Sequence, residues 1–255
     1  MIRSTILSAS GGLVYHTRAA LSYGRWQDTR RSVSTLVRNW LESASLSAPI
    51  GGETQDVIII GPSAGYLLEP GLFGDRALTI IDPDAFASLI FRSRFSESQV
   101  DWHSRSDLLP FTSRSPKAFS EFIASKSKAA ILFLGVLGQI DLHESEFRRS
   151  KAEATRRLLA DLIGRNWASL HDLESTTFEH SLRQIPPSIL NLDLSESGTA
   201  RDRIEVFEEN FSALGIKTKL WVDHETEWLG GPAATVPWLL TPRKFQNLGW
   251  VTFKK

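Results

Sequence analysis

Residues Asp56-Val57-Ile58-Ile59-Ile60 form an almost unbroken β-branched run that passes directly into Gly61-Pro62-Ser63-Ala64-Gly65. Val and Ile are stiff at χ1 and suit a pleated surface, and a run without polar alternation suits a strand buried on both faces. Such a strand needs a layer of helices above and below it, so this segment points to an α/β protein built on a parallel sheet. The glycines that follow mark a tight turn at the carboxyl edge of that sheet, where open α/β sheets bind their ligands.

The remaining pattern alternates in the same way. Strands are expected at Ala77 to Ile81, Val100 to His103, Ala129 to Leu134, Ser188 to Leu194, Lys217 to Val222 and Trp250 to Phe253. Helices are expected at Trp26 to Leu41, Ala85 to Phe95, Glu144 to Ser169 and Arg201 to Leu214, the last stopped by Gly215 at the position that favours positive φ. Segments rich in Ser, Gly and Pro at Glu42 to Gly52, Ser104 to Pro116 and Ser195 to Thr199 read as loops. The division that follows is an N-terminal helical segment, residues 1–52, acting as a lid or extension, and a sheet-bearing domain over residues 53–255.

Composition narrows the function. In 255 residues, 29 Lys+Arg balance 29 Asp+Glu, which removes the positive field that phosphate contacts require and argues against duplex nucleic acid as a partner. The absence of Cys excludes disulfides, Cys-ligated zinc, iron–sulfur clusters and a cysteine nucleophile. The six His make no HExxH pair or compact cluster with carboxylates, so no metal site is expected. The start of the chain is too polar for a signal-peptide core, and no apolar run approaches the ~20 residues of a membrane span, so a soluble, cytoplasmic protein without membrane partners is expected.

The glycine turn admits three readings. A dinucleotide fingerprint needs Gly at positions 61, 63 and 66, and Ser63 and Tyr66 occupy two of these. A nucleophile elbow would expose Ser63, supported by Asp223 or Asp193 and by His224, as in an α/β hydrolase; Leu67-Leu68-Glu69-Pro70 leaves little room for the helix that an elbow enters. In the third reading Gly61 and Gly65 let the backbone approach a nucleoside carrying an amino-acid portion. This reading asks for acids at the ends of the neighbouring strands, to accept from ribose hydroxyls and from an adenine amino group. Asp82 stands 21 residues after Gly61, and Asp107 follows the third strand.

Taken together, Val57 to Leu68, Ile80-Ile81-Asp82-Pro83-Asp84, Ser106-Asp107-Leu108-Leu109 and Ile131 to Gln139 resemble the class I S-adenosylmethionine-dependent methyltransferases. The resemblance runs from about residue 55 to the end. It implies a doubly wound, Rossmann-like, mostly parallel sheet of seven strands in the order 3-2-1-4-5-7-6, the last strand antiparallel. It implies S-adenosylmethionine as cofactor, lined by Gly61, Pro62, Ser63, Gly65, Asp82, Pro83, Asp107, Leu108 and Gly135, and methyl transfer in line to a small-molecule acceptor. Ser63 stands where the family usually has Gly, and no Asn/Asp-Pro-Pro-Tyr/Phe follows the fourth strand, which argues against a nucleic-acid base as acceptor. With no acid or base in Leu134-Gly135-Val136-Leu137-Gly138, a non-catalytic scaffold of the same fold is the alternative.

His224, Tyr15 and His16 are the candidates for a general base, and spacing selects none of them. Tyr15-His16 belongs to the segment that would form the lid. Eight Trp, four of them in the C-terminal third, fit an aromatic-rich core or an apolar substrate wall. The mixed charges from Glu144 to Arg157 read as a solvated helix face.

Overall fold

The computed structural model describes residues 12–45, 56–84, 86–110, 116–137, 156–190, 192, 199–222, 229 and 231–253. The N-terminal segment folds into α1 (Gly12–Ser22) and α2 (Gln27–Ser45). On α2 the expected stripe is in place: Val33, Val37, Trp40 and Leu41 are buried with Trp26 against the sheet, while Arg31, Ser32, Arg38 and Asn39 face water.

β1 (Val57–Ile60) pairs in parallel with β2 (Ala77–Ile81) on one side and β4 (Ala130–Leu134) on the other, and β3 (Gln99–His103) extends the parallel set beyond β2. Successive side chains of β1 enter opposite cores, as the period of a strand requires. Val57 and Ile59 join a core shared with α1, α2 and α3 (Ala87–Arg94). Ile58 and Ile60 join a second core with Phe119 and Ile123 of α4 (Pro116–Ser125) and with Leu158 and Leu162 in the helical residues 156–162. Helices on both faces therefore explain the unbroken apolar run, each such side chain contributing about 1.5–3 kcal/mol by burial.

The protein is an α/β fold with a mixed sheet of eight strands in the order β3-β2-β1-β4-β5-β8-β7, β6 pairing with β5 off this path. Three expectations are corrected here. The fifth strand does not lie at Ser188 to Leu194, where Pro187–Leu190 instead forms the short helix α5. It is β5 (Trp167–Phe178), which begins inside the segment expected to be helical. Its Ser169, His171, Glu174, Ser175 and Thr176 are all buried, so a strand enclosed on both faces carries the polarity of a loop.

Second, Lys217 to Val222 does not pair with the C-terminal strand. β4 bonds Trp167 to Leu170 of β5, and β6 (Thr218–Val222) takes over from Glu174 to Phe178, antiparallel, while β8 (Lys244–Phe253) runs antiparallel along the opposite edge. Third, the terminal hairpin is β7 (Ala234–Thr241) with β8, and β7 was absent from the expected set. Pro237 within it reads as a breaker, but β7 is the last strand in the sheet order, and a proline without a ladder donor is tolerated at an edge.

The helix α6 (Ala200–Ala213) matches expectation and starts with a capping box: Asp202 N donates to Thr199 Oγ1 at 3.2 Å and Thr199 N to Asp202 Oδ2 at 2.8 Å. Phe207 and Phe211 pack on Phe178 and Phe245 in a third core, whereas Leu214, expected on the same face, is 46% exposed. Among the described residues no helix is long and apolar enough to cross a membrane.

Candidate functional site

The glycine turn lies where β1 meets its two parallel neighbours, beside the point at which strand order changes direction. Gly61, Ser63 and Gly65 all have positive φ, at 72°, 49° and 68°. Two of these are glycines for packing reasons as well: a Cβ on Gly61 would lie 2.0 Å from Val136 Cγ2 and 2.9 Å from the Leu134 carbonyl oxygen, and one on Gly65 would lie 2.7 Å from Phe95 Cε2. Ser63 therefore adopts a left-handed conformation that an L residue reaches only at a cost of roughly 1–2 kcal/mol.

Asp82 holds this strained turn. It follows β2 directly, is 5% exposed, and accepts from Ser63 N at 2.6 Å through Oδ2 and from Asp84 N at 2.9 Å through Oδ1. Burial pushes its carboxyl up to about 6; the two backbone donors act against burial, and the nearby charge of Asp84 adds to it. Ser63 Oγ is itself buried and makes no hydrogen bond of ordinary geometry, although it faces the Tyr15 phenol closely enough to act against the rise of that group's pKa. Burial is the main cause of that rise, followed by Tyr66, with Asp82 and Asp172 adding to it. Tyr15 thus brings α1 to the glycine turn and to Asp82 at the end of β2.

His16, the next residue, is fixed in a different way. Its Nε2 lies 3.0 Å from Asp84 Oδ2 and its Nδ1 3.1 Å from the Tyr66 hydroxyl, and it is 4% exposed. A carboxylate only accepts, so Nε2 carries the proton. Asp84 also accepts from Gly12 N at 2.9 Å and from Phe86 N at 2.9 Å. One carboxylate therefore ties the first turn of α1 to the start of α3. The sequence displays Asp84 beside Asp82, but its partners lie 68 and 72 residues away.

Of the other expected site residues, Pro62 lies within the turn, Pro83 follows Asp82, and Gly135 stands between Leu134 and Val136, which meet Gly61. Asp107 sits in a single turn, Ser106–Leu108, where Arg105 holds it through Nε to Oδ1 at 3.1 Å and Nη2 to Oδ2 at 2.5 Å, keeping its carboxyl below the usual range. Leu108 is buried in the core beneath the sheet, and Pro83 is exposed. Pro62 is buried, and Gly135 has a φ of 69° with open space at its missing Cβ. His224 lies outside the described residues.

No helix follows the glycine turn: residues 61–76 form successive turns, which Pro70, Gly71 and Gly74 keep from becoming helical. The turn therefore lacks the helix that a nucleophile elbow enters, and Ser63 Oγ has no base bonded to it. A separate open cleft of about 590 Å³ lies between α1, α3 and Tyr66. Tyr66 borders it, but neither Asp82 nor Asp107 does. Comparison with known families finds no family model that matches the chain, and comparison with curated proteins finds no relative.

Proposed function

We propose that the chain binds S-adenosylmethionine at the glycine turn and transfers its methyl group to a small molecule. The observation that carries this reading is the strained glycine turn held by Asp82, a buried acid at the end of β2. The sheet lends support to the same reading: with β6 set aside as an addition on the free edge of β5, the order of the other strands resembles the methyltransferase arrangement.

The residues present fit the cofactor. Each oxygen of Asp82 accepts one backbone N–H and keeps a lone pair for a ribose hydroxyl. Ser63 would bond the amino-acid portion, and Asp107 would receive the adenine amino group once Arg105 yields. Bound there, the cofactor supplies an electrophilic methyl group on a sulfonium. The protein's task is then orientation: Tyr15, packed over the turn, excludes water from the carboxyl ends of the strands.

A second reading, a scaffold of this fold without turnover, draws on the two backbone donors already on Asp82 and on the cleft that borders neither acid. Calorimetry with S-adenosylmethionine and with its demethylated product separates the two. Binding that weakens by about 1–3 kcal/mol in Asp82→Ala supports the first reading, and no heat at about 1 mM cofactor rules it out. Labelled cofactor incubated with a metabolite extract and followed by mass spectrometry then identifies the acceptor.

A further inference from the structure

The cleft between α1 and α3 has a composition of its own. His16, Ala20, Tyr23, Tyr66, Ile90 and Arg94 line it, and its volume of about 590 Å³ suits a small molecule. Two arginines converge on one of its walls: the guanidinium carbon of Arg30 lies 3.8 Å from the Tyr23 ring centroid and that of Arg94 4.9 Å from it. Arg30 is 7% exposed and donates through Nη1 to the Tyr23 carbonyl at 3.2 Å. Arg94 donates through Nη2 to the carbonyls of Gly65 at 3.2 Å and Leu68 at 2.7 Å. Two of its five N–H groups are thereby used, and three, on Nε and Nη1, have no acceptor among the described residues.

Neither arginine has a carboxylate in ion-pair contact among the described residues. The acid whose charge reaches Arg30, Glu69, faces Arg38 at 3.7 Å, and Asp84, whose charge reaches Tyr66, bonds Gly12, His16 and Phe86. Two like charges set close together, one buried and one half-buried, with no carboxylate in contact among the described residues are unfavourable, and an anion in the cleft would offset them. The remaining walls, Ala20, Ile90 and the two tyrosine rings, are apolar or flat.

We infer that this cleft binds a small organic anion with a flat apolar body, its carboxylate or phosphate head on Arg94 and its body against Tyr23, Tyr66 and Ile90. The inference does not rest on the S-adenosylmethionine reading, since the cleft borders neither strand-end acid.

The test is ligand-observed NMR and calorimetry on the full chain with phenylphosphate, phenylacetate and the uncharged benzyl alcohol. At least one of the two anions should bind, and the neutral probe should bind at least about tenfold more weakly, as a charge-assisted contact requires. The stronger anion identifies the head group. Arg94→Met should weaken binding about tenfold, and Ala20→Phe, which fills the cleft from an exposed helix position without removing a polar contact, should do the same while the protein stays folded. If Arg94→Met fails to fold, Ala20→Phe decides. Equal binding of the neutral probe, unchanged affinity in Ala20→Phe, or no binding of either anion at about 10 mM overturns the inference.

Discussion

Replacing Asp82 with Asn should flatten the dependence of stability on pH. In the folded protein, burial raises this carboxyl from 3.8 to about 6 against the opposing pull of two backbone donors. Between those values the folded state holds a proton that the unfolded chain has released, so the folded state loses ground as pH rises. The contribution is fully present below 3.8 and is lost as pH climbs through about 6. The rise from 3.8 to about 6 corresponds to about 3 kcal/mol in all, of which about 1.4 kcal/mol falls between about pH 5 and about pH 7.5. Asn does not titrate, so the difference between the two pH profiles reports Asp82 together with its charge coupling to Asp84. Urea unfolding followed by Trp fluorescence at the two pH values should show the wild type losing about 1.4 kcal/mol more than Asp82→Asn. Profiles that run parallel within about 0.5 kcal/mol would refute the burial argument. Under the proposed function, ribose hydroxyls donate to the ionised carboxyl, so cofactor affinity should rise as pH climbs through about 6 and then level off.

Three further outcomes follow from the same geometry. Arg203→Ala removes the cation that donates from Nε to Glu174 at 2.6 Å, an acid that is 1% exposed; a loss of about 3–5 kcal/mol is expected in chemical denaturation. Gly61→Ala brings a Cβ onto Val136 and the Leu134 carbonyl oxygen at a positive φ, and should cost about 2–4 kcal/mol or yield insoluble protein on expression. Ser63→Gly relieves the left-handed strain, so its urea midpoint should move up by the equivalent of about 1 kcal/mol while cofactor binding weakens.

What the sequence determined by itself is local. The run Val57 to Ile60 announced a strand covered on both faces because no polar residue interrupts it, and the glycines after it announced a turn because a left-handed backbone is cheap only for glycine. Asp82 was legible from its place at the end of β2. The amphipathic α2 and α6 were legible from the spacing of Val33, Val37, Phe207 and Phe211, which reflects the helical period alone.

Tertiary structure decided the rest, because it supplied partners from far along the chain. β5 was unreadable because Glu174 looks like a surface residue until Arg203 and Asn247, 29 and 73 positions away, satisfy it in the interior. β7 was unreadable because Pro237 is compatible with a strand only at an edge, and which strand is the edge is a property of the whole sheet. Asp84 looked like a neighbour of Asp82 until the fold brought Gly12 and His16 to it. The two arginines come together on Tyr23 only because α2 and α3 meet there. Burying a polar group is favourable only when its partner arrives with it, and pattern along a chain records the group without the partner.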